Sequence, residues 1–325
     1  MEKVSLDFDR LSREERYNAL TEIADLYYNQ GKTQIEIADR FGITRFKVAK
    51  LIQDARSEHI VEININYSNE RNESIEQELK TAYSLGAAIV VNTEYSSYID
   101  SMNKVGAVGA DYLGQILIPN SVIGVTWGKS IHVVISHLKQ IPHNHVAALQ
   151  LTGFIQMPST TYESRHLIRT VTAAYFGTPY FLNMPLYVNN LDLRQQMMTE
   201  PDILQTLYKA KEMSTVITGI GSKSSLPLSN PKFRPYLTNS DIQASDDCIG
   251  SIYGLVLDKN GRIADIDLNS KLIAVPIDDI MSTHHRVAVV VGRHKIEVAS
   301  KAMKNGYVNE IITNTETALR LLDVA

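Results

Sequence analysis

One stretch near the N-terminus, residues 33–56, constrains the fold of this chain more than any other. It reads TQIEIADRFGITRFKVAKLIQDAR and predicts two short helices joined by a tight turn. Ala38 falls where two crossing helices need a small side chain, and Gly42 falls in the turn. The apolar positions that complete the pattern are Ile37, Phe41, Ile43, Val48 and Leu51. A glycine-containing turn between two such helices is typical of a helix-turn-helix.

The second helix of this motif has an outward face that predicts contact with DNA. Gln34 opens the motif, and Thr44 is a suitable N-cap for the second helix. The outward residues near the start of that helix are Arg45, Phe46, Lys47 and Lys50. Base edges in the major groove are read from this end of a recognition helix, where Arg and Lys suit guanine or phosphate and Phe suits a thymine methyl. The alternative is an ordinary helical hairpin with a solvated basic face.

Charge and composition limit the class of protein. Residues 31–56 carry six Lys and Arg against three Asp and Glu, whereas the 325-residue chain has a formal charge of −4, so nucleic-acid affinity would be local to this module. The only cysteine, Cys248, excludes an intramolecular disulfide, and the histidine pairs lack metal-site spacing, so we expect no metal and no cofactor. Neither a signal peptide nor an apolar run of about eighteen residues is evident, which favours a cytoplasmic protein without membrane contact.

The pattern along the chain indicates two domains. We expect a DNA-binding domain over residues 1–66, in which an amphipathic helix at 10–30 precedes the helix-turn-helix. The alternating run at 60–66 predicts a strand that could form a wing. A polar, Asn-rich linker is expected over 67–74, or else a surface loop of one continuous domain, followed by a second domain over 75–325.

Apolar runs alternate with helical patterns throughout the second domain. Strands are expected over 87–91, 121–127, 145–153, 180–188, 215–221, 248–258, 286–292 and 310–315. Helices are expected over 75–85, 100–116, 129–139, 162–176, 201–213, 294–304 and 316–322. This alternation favours an α/β fold with a mostly parallel, doubly wound sheet of the Rossmann type, covered on both faces.

Three strand ends of this domain carry small, polar or basic residues: GVTWGKS (124–130), TGIGSKS (218–224) and VGRHK (291–295). Ligands of open α/β sheets bind beyond the carboxyl ends of the strands. In the first loop, backbone N–H groups with Thr126, Lys129 and Ser130 would suit a phosphate, and Lys295 in the third could pair with an anion. Each glycine taken alone is equally consistent with a simple tight turn.

Six stretches, in order from about residue 15 to the C-terminus, resemble the SorC family of bacterial transcriptional regulators, also called the SorC/DeoR type. They are IADRFGITRFKVAKLIQDAR, VIGVTWGKSI, LQLTGF, RHLIRTVTAAYFG, VITGIGS and VGRHKIEVASKAMKNGYVNEIITNTETALRLL. The resemblance implies an N-terminal helix-turn-helix followed by a sugar-binding domain related to phosphosugar isomerases. We therefore expect a DNA-binding regulator of a carbohydrate-metabolism operon.

The resemblance also implies a set of effector-binding residues. The phosphate of the effector would meet Lys295 and the loop Thr126, Trp127, Gly128, Lys129, together with Ser130. The sugar would be bordered by Gly153, Arg169, Gly219 and Gly221. The chain departs from the family pattern at Phe154, which adds bulk, and at Arg293 and His294, which add positive charge beside the site.

Three other functions compete with that of a sugar-phosphate regulator. A phosphosugar isomerase or deaminase fused to a DNA-binding head would need an acid–base pair, yet residues 222–225 after Gly221 hold neither Asp nor His. This favours a protein that is not an enzyme. A protein-interaction scaffold, or a regulator that senses an unphosphorylated sugar or an organic acid, would also fit the pattern. The expected partners are operator DNA, a small-molecule effector, most simply a phosphosugar, and further copies of the chain in a homo-dimer or homo-tetramer.

Overall fold

The chain divides into two compact units, Met1–Ser68 and Asn69–Ala325, called here the N-terminal and the C-terminal unit. The structure is a computed structural model that describes residues 12–58, 60–61, 71–94, 96–155 and 160–325. The expected strand at 60–66 therefore lies outside the described residues from residue 62 onward. Across the described ranges, no helix is long and apolar enough to cross a membrane.

The N-terminal unit has the three helices that the sequence predicts: α1 (Arg13–Tyr28), α2 (Gln34–Phe41) and α3 (Arg45–Ser57). Gly42 ends α2 with a φ of 63°, a left-handed conformation that glycine adopts without strain and that sets the turn before α3. The helices bury one apolar cluster, which consists of Ala19, Leu20, Ile23, Ala24, Leu26, Ile37, Phe41, Val48, Leu51, Ile52 and Ala55.

The C-terminal unit contains nine strands and eleven α-helices among its described residues. The strands are β1 (Ala87–Val91), β2 (Val122–Val125), β3 (Ala147–Gln150), β4 (Pro179–Tyr180), β5 (Thr215–Ser222), β6 (Cys248–Ile252), β7 (Leu255–Asp258), β8 (His285–Val290) and β9 (Glu310–Asn314). The helices are α4 (Glu73–Tyr83), α5 (Tyr98–Ile116), α6 (Lys129–Ile135), α7 (Ser164–Tyr175), α8 (Leu191–Met197), α9 (Pro201–Ala210), α10 (Asn239–Gln243), α11 (Asp267–Ser270), α12 (Ile277–Met281), α13 (Ile296–Lys304) and α14 (Thr315–Leu322).

Seven of the strands form a parallel sheet in the order β1-β9-β8-β5-β2-β3-β4, and β6 and β7 extend it by antiparallel pairing to the end of β5. The chain runs outward in one direction from β2 through β3 and β4, and in the other from β5 through β8 and β9. The switch point therefore lies between β2 and β5, where open α/β sheets bind their ligands. The predicted α/β class with a doubly wound parallel sheet is confirmed.

Each face of the sheet is covered by helices, because side chains alternate along the strands. In β1, Ala88 and Val90 join a cluster with apolar residues of α4, α9, α13 and α14. Ile89 and Val91 point the other way, into a cluster with α5, α6 and α7. This two-sided burial accounts for the continuous apolar runs of the sequence.

Two expected strands differ from the structure. The run at 248–258 is a hairpin of β6 and β7, because Tyr253 and Gly254 both have a positive φ, of 55° and 84°, as a two-residue turn of the I′ type requires. Of the run at 180–188, only Tyr180 pairs in the sheet, within β4. Its later residues make isolated bridges with other loops, such as Pro185 with Phe154.

The C-terminal unit also begins earlier than expected, because part of the linker predicted over 67–74 belongs to it. Asn72 accepts a hydrogen bond from the backbone N–H of Ile75 and caps α4, which starts at Glu73. Arg71 bridges to Val91 of β1 and donates two hydrogen bonds to Glu76, at 2.7 and 2.8 Å. Residues 71–74 are thus part of the folded unit, while 67–70 lie outside the described residues.

Candidate functional site

Helix α3 presents a basic and aromatic surface in the N-terminal unit. Thr44 caps the helix by accepting a hydrogen bond from the backbone N–H of Lys47, at 3.2 Å. Arg45 and Lys50 are exposed, and the Phe46 ring is 83% exposed although it is a large apolar group. Exposed Arg, Lys and Phe side chains have the chemistry to contact guanine, phosphate and a thymine methyl in the major groove.

The other DNA-contact candidates occupy neighbouring positions. Lys47 is half-buried, in contrast to the exposed Arg45 and Lys50. Gln34 is half-buried at the first position of α2. Both belong to the first turn of their helices, where a helix approaching a duplex places its first polar contacts.

Several carboxylates in the described part of this unit pair with basic residues other than Arg45 and Lys50. Asp54, near the end of α3, accepts a hydrogen bond from Arg16 of α1 at 3.0 Å. Arg40 of α2 pairs with Glu22 of α1. Within the described part of the unit, no carboxylate lies at ion-pair distance from Arg45 or Lys50. Arg45 and Lys50 therefore keep their positive charge available for an external anion.

The C-terminal unit contains a cavity of about 630 Å³ at the carboxyl ends of β2, β5 and β8. One wall is the loop from Thr126 to Ser130, and the opposite walls are the β6–β7 turn and a segment of 3₁₀ turns between Ser225 and Phe233. Eight of the ten predicted effector residues line it: Thr126, Trp127, Gly128, Lys129, Ser130, Gly219, Gly221 and Lys295. The structure thus brings together three strand ends that are far apart in the sequence.

The charged groups of the cavity have one sign. Its described lining includes Lys129, Lys232, His294 and Lys295, and it includes no Asp or Glu. Cations that line one concave surface without carboxylates among them create a positive potential that attracts anions. The cavity is therefore suited to an anionic ligand.

Lys295 is the most enclosed of these cations. Its Nζ donates to Ser130 Oγ at 3.2 Å, and no carboxylate among the described residues lies at ion-pair distance from it. Burial lowers the pKa of the Lys295 ammonium, because the charged form loses hydration that the hydroxyl of Ser130 only partly replaces. A bound anion would supply the favourable charge interaction that the neighbouring side chains do not.

Lys129 and His294 lie nearer the mouth. The ammonium of Lys129 lies 5.1 Å from the ring centroid of Tyr98, a cation–π contact that holds this exposed side chain beside the opening. His294 is exposed, and its pKa is lowered by partial burial and by the positive charges of Lys295 and Arg293. The basic residues that depart from the family pattern thus flank the cavity, and His294 lines it.

Aromatic groups form much of the remaining wall. Tyr187 packs edge-on against Phe233, with ring centroids 5.7 Å apart, and both line the cavity with Trp127. Tyr253 donates a hydrogen bond from its hydroxyl to the backbone oxygen of Tyr307, at 2.8 Å. Burial raises the pKa of the Tyr187 and Tyr253 hydroxyls, which therefore stay neutral. Flat apolar faces beside hydrogen-bonding groups suit a polyhydroxylated ligand.

Two predicted residues do not line the cavity. Arg169 is turned to the surface because its neighbour Ile168 occupies the buried face of α7, and its guanidinium lies 5.9 Å from the ring centroid of Phe181. Gly153 packs against backbone: a Cβ there would lie 2.3 Å from the carbonyl oxygen of Pro185. The glycine permits this close approach and does not line the cavity. Phe154 is also outside the lining.

Several lining residues were not predicted from the sequence. Tyr187, Lys232, Ser251 and Tyr253 come from segments without a strand-end signature. The antiparallel pairing of Gly221 with Ser251 brings the β6–β7 hairpin to the end of β5. A Cβ at Gly221 would lie 2.5 Å from Ser251 Oγ, so the glycine of the VITGIGS stretch indicates this approach. No corresponding signal marks Tyr187 or Lys232.

Comparison with known proteins agrees with this architecture. A family model described as "Putative sugar-binding domain" matches residues 67–323. The chain is 26% identical over 308 residues to the sorbitol operon regulator of Klebsiella pneumoniae, across 93% of this chain and 97% of that protein. It is 23% identical over 311 residues to the deoxyribonucleoside regulator of Bacillus subtilis strain 168, across 95% and 98% of the two chains.

A solved structure supports the fold over both units. The crystal structure of the full-length sorbitol operon regulator SorC from Klebsiella pneumoniae matches with a TM-score of 0.71 and 24% identity, covering 94% of this chain and 98% of that one. The resemblance stated from the sequence is confirmed by the family match. The chain therefore belongs to the SorC family of transcriptional regulators.

Proposed function

We propose that this chain binds operator DNA through α3, and that a phosphorylated sugar or a related anionic metabolite controls the binding from the C-terminal cavity. The observation that carries the proposal is the cavity at the carboxyl end of the sheet, whose described lining has four basic side chains and no carboxylate. The relatives include regulators named for a sorbitol operon and for deoxyribonucleosides, which supports a carbohydrate effector.

The chemistry of the cavity favours a phosphate over a neutral group at its charged end. Lys295 is enclosed and has Ser130 as its hydrogen-bond partner, so a phosphate oxygen could accept from both groups. Sugar hydroxyls would meet Asn230 and Ser251, and a sugar face would lie against Trp127 or Tyr187. An unphosphorylated sugar would leave the buried ammonium without a counter-charge, which costs binding free energy.

We propose binding without turnover. Aldose–ketose interconversion and deamination need an acid–base pair beside the substrate carbonyl. The described lining offers no carboxylate to act as the partner of its one imidazole, His294, and the buried Tyr187 and Tyr253 hydroxyls do not ionise near neutral pH. Incubation of the protein with paired aldose and ketose phosphates, followed by product analysis, tests this. Conversion above the uncatalysed rate would contradict it.

We propose that the effector controls DNA binding by shifting a symmetric oligomer between two states. We propose a dimer or a tetramer, because a two-fold operator pairs with two heads related by the same symmetry. An effector shifts the balance only by its difference in affinity for the DNA-binding and the non-binding state. Sedimentation with and without an operator duplex measures the number of chains per site.

The direct test is selection of bound duplexes from a random-sequence library with the full chain. We expect enrichment of a two-fold symmetric site that the Arg45→Ala/Lys50→Ala double variant does not enrich. Binding to that site is then measured with paired free and phosphorylated sugars and with organic acids. A response to a phosphorylated sugar that the Lys295→Met variant lacks, with its DNA affinity unchanged, supports the proposal. Failure to enrich any site would contradict the DNA-binding half of it.

A further inference from the structure

His294 is a titratable residue at the rim of the cavity, held in place by the backbone before it. Gly292, two residues before His294, has a φ of 109°, a conformation that favours glycine. A Cβ at Gly292 would lie 2.9 Å from Cε1 of His294, so the imidazole packs directly over the glycine. The backbone N–H of Gly292 donates to Thr317 Oγ1 at 3.0 Å, which fixes the turn that carries the ring.

The charged groups that lower the pKa of His294 are cations. On its own turn these are Arg293 and Lys295. The one carboxylate within four residues of His294 in the sequence, Glu297 of α13, lies in an ion pair with Lys301, at 3.8 Å. Across the cavity, the described lining contributes five further titratable groups: Tyr98 of α5, Lys129 of α6, Tyr187 of the segment after β4, Lys232 of the 3₁₀ segment and Tyr253 of the β6–β7 turn. None of these contributes a negative charge near neutral pH. Without a ligand, the neutral imidazole is therefore favoured.

A bound anion reverses this balance. A dianion in the cavity places negative charge against Lys295 and within the same enclosure as His294, so the imidazolium gains a partner that the surrounding side chains do not provide. The pKa of His294, lowered by burial and by its two basic neighbours, would rise when the anion binds. Protons are then taken up on binding, and linkage makes the anion affinity depend on pH.

We infer that His294 couples effector binding to proton uptake, so that this chain binds an anionic effector more tightly in mildly acidic than in mildly alkaline solution. The inference rests on the anionic effector proposed above and adds its regulation by pH. The sign follows from the direction of the change: the affinity gain is fully present below the pKa of the free state. It is lost as the pH rises through the pKa of the bound state.

Inorganic sulfate is the probe, because it remains a dianion across the pH range in which histidine titrates. A phosphate ester changes its own charge in that range. The dissociation constant of sulfate for the full chain is measured by calorimetry at constant ionic strength, in two buffers of different ionisation enthalpy. We expect binding about three- to tenfold tighter at about pH 6 than at about pH 8. The observed heat of binding should differ between the two buffers, because the protons taken up are released by the buffer.

The His294→Gln variant should bind sulfate with no such pH dependence, because glutamine keeps a donor and does not titrate. The exposed His284, at the amino edge of the sheet, supplies a matched control: His284→Gln should retain the wild-type pH dependence. A second measurement is the histidine Cε1 resonance that His294→Gln lacks, whose titration midpoint in the wild-type chain should move to higher pH when sulfate replaces chloride.

The outcomes separate this inference from the proposed function. Sulfate binding that Lys295→Met abolishes, yet that has the same affinity at both pH values, would overturn the role of His294 and leave the anion site intact. A pH dependence that persists in His294→Gln would also overturn it. An absence of sulfate binding by the wild-type chain even at the lower pH would contradict the anion site and the inference together.

Discussion

Replacing Lys295 by Met should raise the stability of the unliganded C-terminal unit while abolishing its response to an anion. The ammonium is largely enclosed, donates a hydrogen bond to Ser130, and has no carboxylate beside it among the described residues. Met keeps most of the stem and removes the charge. An incompletely solvated buried donor costs about 1–3 kcal/mol, so we expect a gain of about 1 kcal/mol or more in the free energy of unfolding.

The pH dependence of this gain has a defined sign. Burial lowers the pKa of Lys295 in the folded chain below that in the unfolded chain. The destabilising contribution is then fully present below the folded pKa and is relieved as the pH rises through it. The stability advantage of Lys295→Met should therefore be largest near neutral pH and shrink in alkaline solution. The melting temperature of a unit of this size should rise by about 2–4 °C per kcal/mol.

The same substitution should weaken anion binding while it stabilises the fold. Loss of one partner of an enclosed charge pair costs about 2–5 kcal/mol, or roughly 30- to 4,000-fold in affinity. Lys129→Met is the matched control, since Lys129 lines the same cavity but is exposed, with its ammonium over the Tyr98 ring. The free energy of unfolding of Lys129→Met should differ from that of the wild type by less than about 0.5 kcal/mol. A Lys295→Met variant that is destabilised relative to wild type would refute the reasoning.

Three further predictions concern the DNA-binding unit and one glycine. Lys50→Ala should leave the melting curve unchanged and should lower the slope of log affinity against log salt by about one for each DNA-binding unit. The slope is measured by fluorescence anisotropy on the selected operator, and an unchanged slope would remove Lys50 from the interface. Leu51→Ala should cost about 2–5 kcal/mol, because Leu51 is 1% exposed, and should abolish DNA binding without altering sulfate binding; retained DNA affinity would contradict the assigned core. Gly153→Ala should cost about 1–3 kcal/mol in the melting of the C-terminal unit through the clash with Pro185, and should not change anion affinity once the protein is folded; a selective loss of affinity would return Gly153 to the binding site.

Local patterns in the sequence predicted the parts of the fold whose physical causes are local. The apolar spacing of residues 33–56 with Gly42 defines α2, the turn and α3, and the apolar run at 87–91 coincides with β1. The sequence also predicted which strand ends form the candidate site, since Thr126, Gly219 and Lys295 all line the cavity. Each follows from the residues within a few positions of it, through periodicity or turn chemistry.

Features that depend on distant contacts could not be predicted in this way. Tyr253 occupies a left-handed position that turn preferences assign to Gly or Asn, so the hairpin within 248–258 was not predicted. Its side chain is 2% exposed and is hydrogen-bonded to Tyr307, contacts remote in sequence that stabilise the turn. Arg169 does not line the cavity for a related reason: the phase of α7, and not the residue type, decides which face it occupies.

Lys295 is the residue through which we propose that the C-terminal cavity binds a phosphorylated sugar. The most direct measurement is the thermal stability of the purified full chain against paired free and phosphorylated sugars, with organic acids as a third set. A ligand at a hundred times its dissociation constant adds about 2.7 kcal/mol, which is readily seen as a shift in melting temperature. We predict a shift with a phosphorylated sugar that is absent with the free sugar and absent in Lys295→Met. A shift of equal size with the free sugar, or one that Lys295→Met retains, would contradict the proposed site.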